Sequence, residues 1–160
     1  MLAAIIAPTA FSAQSPPTGW RPASASEASG AWRKKSPTNF LVVRADFDGD
    51  GRTDLAELLV DPTTGKIAVF VKLASTEKWQ MLGEPYDLGY LDRLGINLVK
   101  PGKYETACGK GYDDSFCARG EPDYLVLTHS AIDLIYTESS DVIFYWDRKN
   151  KIFQQIQMSD

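Results

Sequence analysis

The sequence is poor in the residues on which much catalytic chemistry depends. Its 160 residues hold one histidine, His129, and two cysteines, Cys108 and Cys117. Together these leave a four-ligand structural zinc site without a clear fourth member. No G-x-S-x-G elbow, H-E-x-x-H pair or Gly-rich phosphate loop occurs in the chain. Basic charge is scarce as well: 17 Lys and Arg stand against 21 Asp and Glu, a net charge of -4. Four of those basic residues and one acidic residue lie in 1–39, leaving 13 basic and 20 acidic residues in 40–160. A domain this acidic repels phosphate backbones and attracts cations or basic partners, so no nucleic-acid partner is expected. No apolar run is long enough for a transmembrane helix.

What is present starts with an apolar N-terminus. Residues 1–13, Met-Leu-Ala-Ala-Ile-Ile-Ala-Pro-Thr-Ala-Phe-Ser-Ala, resemble the second half of a secretory signal peptide. The expectation is export to the periplasm or beyond, with mature protein starting near Gln14. Residues 14–38 are rich in Ser, Pro, Ala and Gly and read as a flexible arm, which Trp20 and Trp32 could dock onto the domain. A single β-rich domain is expected over 39–160. The close spacing of Cys108 and Cys117 suits a disulfide in an oxidising compartment; free thiols, or a Cys-Cys-His set with His129, are the other readings.

The domain is read as mainly β. Phe40–Val43 is a β-type run. Asp61-Pro-Thr-Thr-Gly-Lys66 is a turn signal between Leu55–Val60 and Ile67–Leu73, which fits a hairpin. Period two puts Ile67, Val69, Val71 and Leu73 on one face of the second strand. Residues 82–99 alternate turns with short apolar pieces and have room for a short helix, and 101–122 read as a long loop closed by the disulfide. Strands follow at 124–128, 131–137, 142–146 and 152–157. The expected fold is antiparallel hairpins in a meander or partial propeller-like arrangement, with one calcium loop.

That loop is Asp46-Phe-Asp-Gly-Asp-Gly-Arg-Thr-Asp54. Ca²⁺ takes six to eight oxygens, and carboxylates at every second position can converge around a tight turn. Asp46, Asp48 and Asp50 are the central candidates. The carbonyl of Arg52 would add a further ligand, and Asp54 a direct or water-bridged one. Glu57 completes the pattern D-x-D-x-D-G-x₅-E, although a strand at 55–60 turns it with Leu55 and Leu59, leaving its reach to the metal open. Pro37 and the β run before the loop, and Pro62 and Gly65 after it, argue against the helices of an EF-hand.

The run from Phe40 to Val60, above all Ala45-Asp-Phe-Asp-Gly-Asp-Gly-Arg-Thr-Asp-Leu-Ala56, resembles the calcium loop of FG-GAP/VCBS-type β repeats. The resemblance implies a loop between two strands of a propeller blade, with ligands at Asp46, Asp48, Asp50, Asp54 and the Arg52 carbonyl. Pro101–Tyr112, Phe144–Asp147 and Met158–Asp160 look similar to small periplasmic proteins of proteobacteria. Several such proteins with a VCBS-like loop are immunity proteins or lysozyme inhibitors.

The resulting expectation is an exported, calcium-stabilised protein-binding domain that inhibits a cell-wall-degrading enzyme such as a peptidoglycan hydrolase. A non-inhibitory structural or envelope protein is the alternative. A hydrolase ranks lower: acids are numerous enough for a glycosidase pair, but the metal already accounts for the Asp cluster. Candidate partner-binding residues are Tyr104, Tyr112, Phe116 and Arg119, because aromatics and arginine anchor interfaces.

Overall fold

Period-two alternation decides which side chains of this chain turn inward, and it does so across two facing sheets. The computed structural model describes residues 15–24, 26–112, 117 and 120–159. The expected leader, 1–13, lies outside the described residues. The strands are β1 (Arg21–Pro22), β2 (Val42–Ala45), β3 (Asp54–Asp61), β4 (Lys66–Lys72), β5 (Trp79–Asp87), β6 (Leu94–Val99) and β7 (Gly102–Glu105). A helical turn, α1 (Ala107–Lys110), comes next. After it come β8 (Tyr124–Leu127), β9 (Ala131–Tyr136), β10 (Asp141–Asp147) and β11 (Ile152–Ser159). The protein is mainly β, and every described strand pairing is antiparallel.

One sheet runs β3-β4-β5, with β1 and β2 both paired to the free side of β3; a second runs β11-β10-β9-β6; β7 and β8 form a separate hairpin. Ala56, Leu58 and Val60 of β3 and Ile67, Val69 and Val71 of β4 share one core with Leu94 and Ile96 of β6, Ile132 and Leu134 of β9, and Phe144 of β10. The face expected for Ile67, Val69, Val71 and Leu73 is therefore a core face. The other face of β4 is buried too, with Ala68 and Phe70 beneath Trp20 and Trp79. Central strands covered on both sides read as continuous apolar runs.

Three stretches differ from the sequence reading. Residues 82–99 supply part of β5 and all of β6, joined through a 3₁₀ turn at Leu88–Tyr90. The long loop expected at 101–122 begins with β7 and α1. The described part of 14–38, expected as a flexible arm, packs on the domain. Arg21 and Pro22 pair with Val60 and Leu59. Trp20 meets Phe70 edge-on at 4.8 Å, and Trp79 Nε1 donates to Ser15 O at 3.0 Å. Trp32 stacks on Phe40 at 5.0 Å and donates to Asp92 O. Arg33, in a 3₁₀ turn, is buried and donates to the carbonyls of Asn39, Leu91 and Leu94. Trp20 and Trp32 thus dock the segment, with Arg33 as an anchor that composition gave no reason to expect.

Candidate metal centre and partner surface

The Asp-rich loop joins β2 to β3, adjacent antiparallel strands with Ala45 opposite Asp54. Its turn depends on two glycines in the left-handed region, Gly49 (φ 77°) and Gly51 (φ 85°), where a side chain would be strained. At Gly49 there is no room for one either, because a Cβ would lie 2.7 Å from the His129 ring. Phe47, between the first two aspartates, is fully buried and plugs the loop into the core.

Carboxylate oxygens of Asp46, Asp48 and Asp50 lie within 4.8 Å of one another. Oxygens bound to one Ca²⁺ at roughly 2.3–2.6 Å can be no more than about 5 Å apart, so this spacing fits a single ion. Asp46 organises the turn: its Oδ1 accepts from Gly49 N at 2.7 Å and Asp50 N at 3.1 Å, and its Oδ2 from Gly51 N at 2.8 Å. Asp48 accepts from Asp50 N and, through Oδ2, from Ser75 Oγ at 2.9 Å. Asp46 Oδ2 and the Asp48 oxygens each keep lone-pair capacity for a cation, whereas Asp46 Oδ1 already accepts two N–H groups.

Asp54 and Glu57 do not join this cluster, and Arg52 meets it through its side chain. Asp54 is buried, and its oxygens accept from Phe47 N at 2.8 Å and Ala74 N at 2.7 Å. Burial, first of all, raises its proton affinity, against the lowering effect of those two bonds. It braces the loop against the end of β4 rather than joining the three clustered carboxylates. Glu57 lies opposite Val42 and Phe70 on the Leu59 side of β3, where burial also raises its proton affinity. Arg52 contributes its side chain: Nε and NH2 contact Asp50 Oδ2 at 2.8 and 2.7 Å. The guanidinium, with the Arg52 N–H, lowers the Asp50 proton affinity. Ser75, Ala74 and His129 were missed by sequence reasoning, because nothing local to the loop points to them.

Cys108 and Cys117 form a disulfide, which removes both thiols from any zinc site with His129. Cys108 lies in α1, whose Thr106 cap accepts from Gly109 N. Tyr112 is exposed beside this turn. Tyr104 turns inward instead: its ring packs with the Leu125–Leu127 cluster and its hydroxyl donates to Lys100 O at 2.8 Å. Phe116 and Arg119 lie outside the described residues. The outer face of β7–β8 supplies groups the sequence reading did not select. Tyr124 and Val126 are exposed there, and Lys103 Nζ sits 3.9 Å from the Tyr124 ring centre.

A scan against protein-family models found no match, and searches of curated proteins and of solved structures found none. No described helix is long and apolar enough to cross a membrane.

Proposed function

We propose that this protein is an exported, calcium-stabilised binding domain that inhibits a cell-wall-degrading enzyme. The observation that carries the metal part is the convergence of Asp46, Asp48 and Asp50 on a turn set by Gly49 and Gly51. In this reading β2, the loop and β3 form a calcium-repeat hairpin of the FG-GAP/VCBS type. Asp46, Asp48 and Asp50 hold the ion; Arg52 must release Asp50 for it to bind in full. The cation neutralises converging carboxylates, so binding energy becomes folding energy.

The partner surface is the outer face of β7–β8 together with Tyr112, next to the helical turn that carries Cys108. Its exposed Tyr112, Tyr124 and Val126, with Lys103, have the aromatic and cationic character of interface anchors. The test is turnover of purified peptidoglycan by a set of lysozymes and other wall hydrolases, with and without the protein. At least one enzyme should be inhibited, and Tyr112→Ala/Tyr124→Ala/Val126→Asp should weaken inhibition at least tenfold while the far-UV spectrum stays unchanged. Undiminished turnover across the set, or inhibition that survives the triple change, contradicts the proposal.

A further inference from the structure

Two cavities adjoin at the β10–β11 turn and share Trp146 and Arg148. One, of about 510 Å³, runs from the Asp-rich loop across Ser75 and Thr76 to Lys151; the other, of about 390 Å³, runs past His129 and Ser130 to Lys149. Both volumes fall in the range of small-molecule pockets, about 300–1,000 Å³.

The charges in this groove are unequally engaged. Asp48 already accepts from Ser75 Oγ, and Asp50 is held by Arg52. No ion pair among the described residues engages Arg148 or Lys151, and both are exposed on the turn. The cationic end of the groove is therefore the turn, with Arg148, Lys149 and Lys151, while Asp48 and Asp50 keep the loop end acidic and Asp147 lines the second cavity beside Arg148. Trp146 is half-buried and held edge-on to Phe153, with ring centres 5.1 Å apart. A fixed aromatic ring offers a surface to the C–H face of a sugar. Ser75, Thr76, Ser130 and His129 offer neutral donors and acceptors suited to hydroxyls.

We infer that the Trp146–Arg148–Lys151 groove binds an acidic glycan, with a carboxylate or phosphate on the sugar paired to Arg148 and Lys151 and a ring packed on Trp146. A nucleic acid suits it less, because the remaining acidic surface repels a long phosphate backbone. The inference needs neither bound calcium nor the β7–β8 partner surface, although the lining includes Asp48 and Asp50 of the Asp-rich loop and Val126 of that face.

The test is retention of the full chain on a glycan array bearing neutral, carboxylated and phosphorylated sugars, followed by calorimetric titration of the retained glycan. Acidic glycans should be retained over neutral ones of the same backbone, and the two acidic sets identify which anion is used. Arg148→Glu/Lys151→Glu, changes on an exposed turn, should weaken binding at least tenfold without altering the melting curve. Trp146→Phe should weaken it several-fold while keeping a ring against Phe153. Retention of no acidic glycan, equal retention of neutral ones, or unchanged binding by the charge-reversed variant overturns the inference. Inorganic phosphate binding as tightly as the glycan also overturns it, because the sugar would then contribute nothing.

Discussion

Asp54 and Asp46 both accept backbone N–H groups, but Asp46 does so within the turn and the carboxylate cluster, while Asp54 is buried outside that cluster. Asp54 gives both oxygens to backbone N–H groups of Phe47 and Ala74. Asp54→Ala should cost roughly 2–4 kcal/mol in urea unfolding even with a chelator present, because it strands two donors in the interior. Arg52→Ala should tighten Ca²⁺ binding a few-fold in calorimetry, since the guanidinium competes for Asp50. Far from the loop, burial pushes the Asp133 carboxyl up to about 7, helped by Asp141. Its Oδ1 is buried with no hydrogen-bond partner among the described residues. The folded state therefore holds a proton that an unfolded aspartate, at 3.8, gives up. This contribution to stability is full below the unfolded value, declines as pH rises, and is lost above the folded one. Asp133→Asn should stabilise the protein near pH 8 by as much as about 4 kcal/mol, with the gap closing as pH falls towards 4. Equal stability of the two proteins at both pH values would contradict the buried-charge account.

Among the elements, β3 and β4 were legible because their apolar residues are continuous and a Pro-Thr-Thr-Gly turn joins them. β5 was not, because Gly83 and Pro85 interrupt it and Leu82 is its one buried residue. Its pairing with β4 supplies what its own pattern lacks. The attachment of the described part of 14–38 was legible only at Trp20 and Trp32, for a related reason. The segment's composition is that of a linker, while its attachment depends on a few side chains whose partners lie some sixty residues away, as Arg33 and Leu91 do. Arg33→Ala would leave three carbonyls without their donor and should cost about 3 kcal/mol or more in urea unfolding. The disulfide was legible from spacing alone. Replacing Cys108 and Cys117 by serine should lower stability by about 2–3 kcal/mol, the effect of closing a short loop in the unfolded chain.

For the whole molecule, the antiparallel β class was readable from alternation and turns, while the division into two facing sheets and a third hairpin was not. That division depends on β6 pairing with β9 across the intervening hairpin, a long-range choice with no local signal. The acidic cluster of Asp46, Asp48 and Asp50 was likewise readable, but not the placement of Asp54, whose bonds from Phe47 N and Ala74 N depend on the fold around the loop. The Asp-rich loop joins β2 to β3, and Phe47 ties it to the main core, so under the proposed function metal binding should be felt by the whole domain. The direct measurement is thermal unfolding of the full chain with Ca²⁺ and with a chelator, paired with calorimetric titration. At a hundredfold excess over Kd, Ca²⁺ should add about 2.7 kcal/mol, a rise in Tm of roughly 5–10 °C. Mg²⁺ should do much less, and Asp46→Ala should abolish both the heat and the shift. An identical Tm in Ca²⁺ and chelator, with no heat of binding, would contradict the account and leave the loop an acidic turn.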